Sequence, residues 1–278
     1  MSKNVAKVWQ VSIENGAVEI SLPDTSSLDV ITRQLPQGYY STFRTFDQGK
    51  QVIGLQSHLK RIYHPATAQK IIPSVPVTVL RRILAGLLRD YPQDARVRLV
   101  MTEMGQIYVM LTALTPLPAE IYLNGVAVIT ADMQRRSPRL KSTGFIAASE
   151  DMRAQLANSK IFEALLVHNN LILEGMTSNF FYVKGENLGT ARRDILLGVT
   201  RRMVLRVARG SGLKVIYRPL KRWQVSALSE AFLTSSSRGI VPIIEIDDVP
   251  VGEGIPGPVT KTLLEGYNAY VMQHADLL

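Results

Sequence analysis

From residue 5 to 13 apolar and polar positions alternate loosely, and Asn15-Gly16 then predicts a tight hairpin turn before a short strand over 17–20. Residues 39–46 and 51–55 read as a second strand pair, turned at 47–50. The period then lengthens. Ser57 is the expected N-cap of a helix through Arg61 to Ala68. Pro76 can open the next helix, whose apolar face is Val79, Leu80, Ile83, Leu84, Leu87 and Leu88. Residues 96–101 and 107–111 read as a hairpin around Gly105.

Thr115-Pro116-Leu117-Pro118 is stiff and turn-rich, and marks a domain boundary. Strands are expected at 126–130, 164–167, 171–173, 179–183, 214–217, 231–234 and 240–246. Helices are expected near 150–156, over 200–209 with Gly210-Ser211-Gly212 as its stop, and from Pro258 to Tyr270. The expected class is therefore mixed α/β. It comprises an amino-terminal domain over 1–115, a linker over 116–120 and a carboxy-terminal domain over 121–278.

Composition narrows the chemistry. The 278 residues are 46% hydrophobic and 20% charged, enough for a real core and too few charges for a disordered chain. No apolar run reaches the roughly 20 residues needed to cross a bilayer. The basic stretch from Met1 to Lys7 has no apolar core behind it and does not read as a signal peptide. The absence of cysteine excludes disulfides, thiolate metal sites and cysteine nucleophiles, and fits a cytoplasmic protein. Thirty-two Lys and Arg against 23 Asp and Glu leave +9, which suits a small anionic substrate. The basic residues are dispersed and only two tryptophans are present, so a nucleic-acid stacking surface is not expected. The four histidines lack metal-ligand spacing, and no metal is expected. Gly252-Glu253-Gly254-Ile255-Pro256-Gly257 matches a dinucleotide fingerprint in letters only. Too little chain follows it for a second strand, so it reads as a turn.

Four segments carry the chemistry. They are Arg139-Leu140-Lys141-Ser142-Thr143-Gly144, Leu173-Glu174-Gly175-Met176-Thr177-Ser178-Asn179-Phe180-Phe181, Leu196-Leu197-Gly198-Val199-Thr200-Arg201, and Phe232-Leu233-Thr234-Ser235-Ser236-Ser237-Arg238-Gly239. In this order and spacing the chain resembles the class IV aminotransferases, the fold-type IV enzymes of pyridoxal 5'-phosphate (PLP). These include branched-chain and D-amino acid aminotransferases and aminodeoxychorismate lyase.

The resemblance implies a two-domain fold of the D-amino acid aminotransferase kind, PLP as cofactor and a homodimer. It implies that Lys141 forms the Schiff base with PLP, for which its amine must be neutral. Desolvation and neighbouring cations lower a lysine pKa, and Arg135, Arg136 and Arg139 are close in sequence. Glu174 matches the acid that pairs with the pyridine nitrogen and makes the ring an electron sink. His58-Leu59-Lys60-Arg61-Ile62 resembles the segment whose arginine, here Arg61, binds the phosphate. Val199 and Thr200 would offer helix N-terminal N–H groups to that anion, Ser236 a hydroxyl, and Leu196 a surface against the ring.

The reaction is less determined. Tyr40-Ser41-Thr42-Phe43-Arg44 resembles aminodeoxychorismate lyase, where the threonine matching Thr42 is linked to elimination. Val251-Gly252-Glu253-Gly254 and Gly257-Pro258-Val259-Thr260-Lys261 resemble branched-chain aminotransferases, although Ile146 stands where those carry a tyrosine. Transamination between an amino acid and a 2-oxo acid is the leading expectation, with pyruvate-releasing lyase activity as the alternative. A non-catalytic basic binding protein on the same scaffold is disfavoured. Tyr40 and Thr42 are candidate substrate residues, and Arg44, Arg98 and Arg238 are candidates for the substrate carboxylate.

Overall fold

The computed structural model describes residues 5–21, 25, 27–91 and 93–278. Residues 1–4, where the expected non-signal stretch begins, lie outside them. The chain divides into two compact units: residues 1–115, 140–148 and 274–278 form the first, and 116–139 with 149–273 form the second. This differs from a single division at 116–120, because two later stretches return to the first unit.

The first unit is built on strands β1 (Lys7–Ser12), β2 (Gly16–Glu19), β3 (Gly38–Phe46), β4 (Gln51–Val52), β5 (Ala95–Thr102) and β6 (Ile107–Ala113), with helices α1 (Leu28–Gln34), α2 (Leu55–Ala68) and α3 (Val77–Arg89). The sheet runs β4-β3-β5-β6-β1-β2, all antiparallel. Strand side chains alternate between faces, so each strand feeds two cores. Tyr39, Phe43, Val97, Leu99, Met101, Ile107, Val109 and Leu111 pack with Leu55, Leu59 and Ile62 of α2 and Leu80, Leu84 and Leu88 of α3. Val8, Tyr40, Val100, Tyr108 and Met110 pack on the other face with Leu28 and Ile31 of α1. Burial on both faces explains why β6 (Ile107–Ala113) reads as a nearly continuous apolar run.

Helix α2 begins three residues earlier than expected. Gly54 precedes it in the left-handed region, φ 68°, with no side-chain cap, and Ser57 lies inside the first turn. Helix α1 was not expected. Ser27 accepts from Val30 N at 3.3 Å as its N-cap.

The second unit holds a ten-stranded sheet and begins with α4 (Ala119–Asn124) and β7 (Val126–Asp132). Helix α5 (Gly144–Ala148) belongs to the first unit. The second continues with α6 (Glu150–Ala157), β8 (Glu163–His168), β9 (Leu171–Gly175), β10 (Asn179–Lys184), β11 (Asn187–Gly189) and α7 (Val199–Gly210). Then come β12 (Lys214–Ile216), β13 (Leu220–Lys221), β14 (Glu230–Ser235), β15 (Gly239–Ile246), β16 (Val249–Pro250) and α8 (Pro258–His274). The order is β12-β11-β10-β14-β15-β7-β8-β9-β13, with β16 on β15. The β15–β7, β7–β8 and β11–β12 pairs are parallel. A last short strand, β17 (Asp276–Leu277), pairs with β4 in the first unit's sheet.

The glycines at 252 and 254 have positive φ and form the expected turn ahead of α8. That helix is capped from outside itself. The buried Glu230 carboxylate accepts from Val259 N at 2.9 Å and Thr260 N at 2.6 Å, where the helix dipole favours an anion. A Cβ at residue 257 would meet the Glu230 carboxyl group, which requires Gly257. Glu230→Ala is expected to lower the unfolding free energy by about 2 kcal/mol, read by denaturant titration.

Candidate active site

In the second unit Glu174 is the penultimate residue of β9 and is 2% exposed. A buried carboxylate needs donors, and the groups around it supply them. Arg135 Nε donates to Oε1 at 3.0 Å, Asn179 Nδ2 to Oε2 at 3.1 Å, and Leu196 N lies 3.2 and 3.1 Å from the two oxygens. Arg135 Nη2 also donates to Met176 O at 2.8 Å, so the turn after Glu174 is held by the same guanidinium. Arg135, expected from sequence as a cation serving Lys141, thus forms a buried ion pair with Glu174.

Asn179 joins Glu174 to the start of α7. Its Nδ2 donates to Leu196 O at 2.7 Å, and its Oδ1 accepts from Gly198 N at 3.1 Å. A Cβ on residue 198 would run into Asn179 Oδ1, so the close approach requires glycine. Helix α7 begins at Val199 with Gly198 as N-cap and no side-chain cap. Its first-turn N–H groups have no intrahelical partner and suit an anion. The Thr200 and Ser236 hydroxyls are 3.4 Å apart, so the second unit itself brings together the helix start and the β14–β15 turn. The side chain of Leu196 is buried.

Arg201, on the first turn of α7, is buried and donates Nη2 to Ala191 O at 2.7 Å. Burial pushes its guanidinium down to about 10, and Arg139 and Arg192 add to the shift.

In the first unit the segment bearing Lys141 is pinned to the start of β3. Tyr40 N donates to Lys141 O at 2.9 Å, Thr143 N to Gly38 O at 2.8 Å, and Gly38 N to Thr143 Oγ1 at 2.9 Å. The Lys141 Nζ stands 4.8 Å from the Tyr40 ring centroid. Thr42 is two residues along the same face of β3 and lies directly opposite Arg98 of β5.

Arg98 is 3% exposed. Its Nη1 pairs with Asp29 Oδ1 at 2.7 Å and donates to Leu28 O and Thr32 Oγ1, while Nε donates to Thr42 Oγ1 at 3.0 Å. Arg61 is half-buried on α2 in this unit. His58 of the same helix is buried, with Nδ1 2.9 Å from Ser41 Oγ and its ring 4.7 Å from Phe43, and so joins α2 to β3.

The three arginines considered for a substrate carboxylate each have an acidic partner: Arg98 with Asp29, Arg44 with Asp94, and Arg238 with Glu163. Sequence reading missed Asn179, Arg135 and Glu163 as site-building residues. An acid opening the apolar run Ala164-Leu165-Leu166-Val167 was the signal for the last.

The family model for amino-transferase class IV matches residues 38–246. The probable branched-chain-amino-acid aminotransferase of Thermotoga maritima is 28% identical over 272 residues, covering 95% of this chain and 96% of that protein. A D-alanine aminotransferase of Bacillus licheniformis is 30% identical over 149 residues, 52% of each chain. In fold, the chain matches the solved branched-chain amino acid aminotransferase of T.th. complexed with N-(5'-phosphopyridoxyl)-L-glutamate. That match has a TM-score of 0.79 at 22% identity and covers 97% of this chain and 95% of that one. With the family's pattern matched over most of its length, and with the fold to go with it, this chain belongs to the class IV aminotransferases.

Proposed function

We propose that the protein is a PLP-dependent aminotransferase that moves an amino group between a branched-chain or similar amino acid and a 2-oxo acid, as a cytoplasmic homodimer. The observation that carries this reading is the buried Glu174 carboxylate, stitched through Asn179 to the uncapped start of α7. That donor and acceptor set fits PLP. Glu174 would face the pyridine nitrogen, Leu196 the ring, and Val199, Thr200 and Ser236 the phosphate, with Arg61 as a further phosphate ligand. Lys141 would hold the cofactor covalently through its amine.

When bound, PLP supplies an electron sink for the bonding pair at the substrate's Cα. The chain does the rest. Glu174, locked by Arg135, Asn179 and Leu196 N, would keep a proton on the ring nitrogen. Lys141, released as a free amine, would take the Cα proton and return it elsewhere, as a general base and then an acid. Tyr40 limits where that amine can swing, because its ring lies against Nζ.

The test is the near-visible spectrum of the PLP-loaded protein, before and after single amino acids in both enantiomers. The expected result is a lysine-bound PLP band that branched-chain or related amino acids bleach. No band with PLP in excess would overturn the reading. One observation supports elimination as a second reading: Thr42 shares the β3 face on which Tyr40 meets Lys141 Nζ. Release of pyruvate from aminodeoxychorismate, with a band inert to amino acids, would assign that reaction instead.

A further inference from the structure

Glu163 opens β8, whose next four residues are apolar and buried, and it is 2% exposed itself. Burying a carboxylate is costly, and an apolar residue in a strand core is usually no less stable. This one is surrounded by donors that come from two turns. Oε1 accepts from Thr177 N at 2.5 Å, from Thr177 Oγ1 at 3.1 Å and from Ser178 Oγ at 3.0 Å. Oε2 accepts from Arg238 Nη2 at 2.8 Å.

Arg238 continues the tie. Its Nη2 also donates to Thr177 Oγ1 at 2.5 Å and its Nε to Ser235 Oγ at 3.1 Å, while its guanidinium lies 5.0 Å from the Phe162 ring centroid. Its backbone carbonyl accepts from Tyr122 at 2.9 Å. The fit is close on the other side too, since a Cβ on residue 175 would meet Ser178 Oγ and Glu163 Oε1. One ion pair therefore ties the turn that directly follows Glu174 to the β14–β15 turn that carries Ser236.

We infer that Glu163 is a positioning residue for cofactor binding: with Arg238 it fixes the Thr177–Ser178 turn beside Glu174 and the Ser236 turn in one relative arrangement. The inference rests on the reading that Glu174 and Ser236 hold PLP. Arg238 accordingly serves the scaffold of the site, and its guanidinium is committed to Glu163, Thr177 and Ser235 rather than to a substrate carboxylate. Two turns held apart by a charge-assisted bond lose their common register when the charge goes, even if each keeps its local shape. The cofactor must then restore that register from its own binding energy, and its affinity falls.

The experiment is a PLP titration of the resolved enzyme, with the melting temperature of the cofactor-free form measured in parallel. Glu163→Gln keeps the side-chain shape and one acceptor oxygen. It is expected to raise the PLP dissociation constant about tenfold, the size of one lost charge-assisted hydrogen bond. Arg238→Gln should do the same from the other end, and the double variant should lose little more than either single one. If Glu163→Gln fails to fold, Arg238→Gln carries the same expectation. A purely structural role would lower the melting temperature of the cofactor-free protein and leave the PLP constant within twofold of the parent. That result, or losses that multiply in the double variant, overturns the inference while the aminotransferase reading stands. Failure of the parent protein to bind PLP overturns both.

Discussion

Lys141→Ala is expected to give a folded protein with no near-visible PLP band and with transamination reduced at least about 10³-fold, the scale for losing a positioned acid–base group. Folding should survive because the segment is held by its backbone. Tyr40 N reaches Lys141 O, and Gly38 and Thr143 exchange two further bonds, none of which uses the lysine side chain. The side chain is half-buried and sets its amine against the Tyr40 ring, a contact whose loss should cost about 1 kcal/mol. Absorbance, single-turnover assay and a melting curve check the three parts. Retention of the band, or borohydride trapping of PLP on another lysine, would remove Lys141 from the mechanism.

What the sequence discloses follows from the range of its signals. The paired strands β3 and β5–β6, helix α3, helix α7 and helix α8 announce themselves through local periodicity and through glycine and proline punctuation. Helix α1 does not. It is seven residues long, follows a polar, proline-containing stretch, and buries Leu28 and Ile31 against residues scattered along the chain, from Val8 and Tyr40 to Val100, Met110 and Ile146. Helix α2 starts at Leu55 because Gly54 reaches a left-handed φ, a condition that outweighs the more obvious cap at Ser57.

The site divides in the same way. Glu174, Thr200 and Ser236 stand in motifs that survive as strings of residues. Their supports do not: Arg135 meets Glu174 across 39 residues, and Glu163 meets Arg238 across 75. Such pairings carry no local signal. Sequence could rank Arg44, Arg98 and Arg238 only as three equivalent cations, and the acids beside them change what each can do.

On the proposed reading of Glu174, its pair with Arg135 is expected to separate stability from turnover. The two side chains are 2% and 4% exposed and meet at 3.0 Å. Glu174→Ala leaves a buried guanidinium without its counter-charge, and a loss of about 3–5 kcal/mol of unfolding free energy is expected. Glu174→Gln keeps one acceptor oxygen for Leu196 N or Arg135 and should cost far less stability. It cannot hold a proton on a ring nitrogen as a carboxylate does, so its turnover should fall about 10²-fold, as when one preorganised electrostatic partner is removed. The melting temperature and single-turnover rate of the two variants should therefore rank differently. Replacing both partners, as Glu174→Gln with Arg135→Met, should recover part of the stability lost in Glu174→Ala, because a buried pair is often no better than apolar packing. It should recover none of the rate. A Glu174→Gln enzyme with parental turnover would mean that the carboxylate serves only to satisfy Arg135, Asn179 and Leu196 N, and the chemistry would then have to rest on Lys141 without a charged partner for the ring.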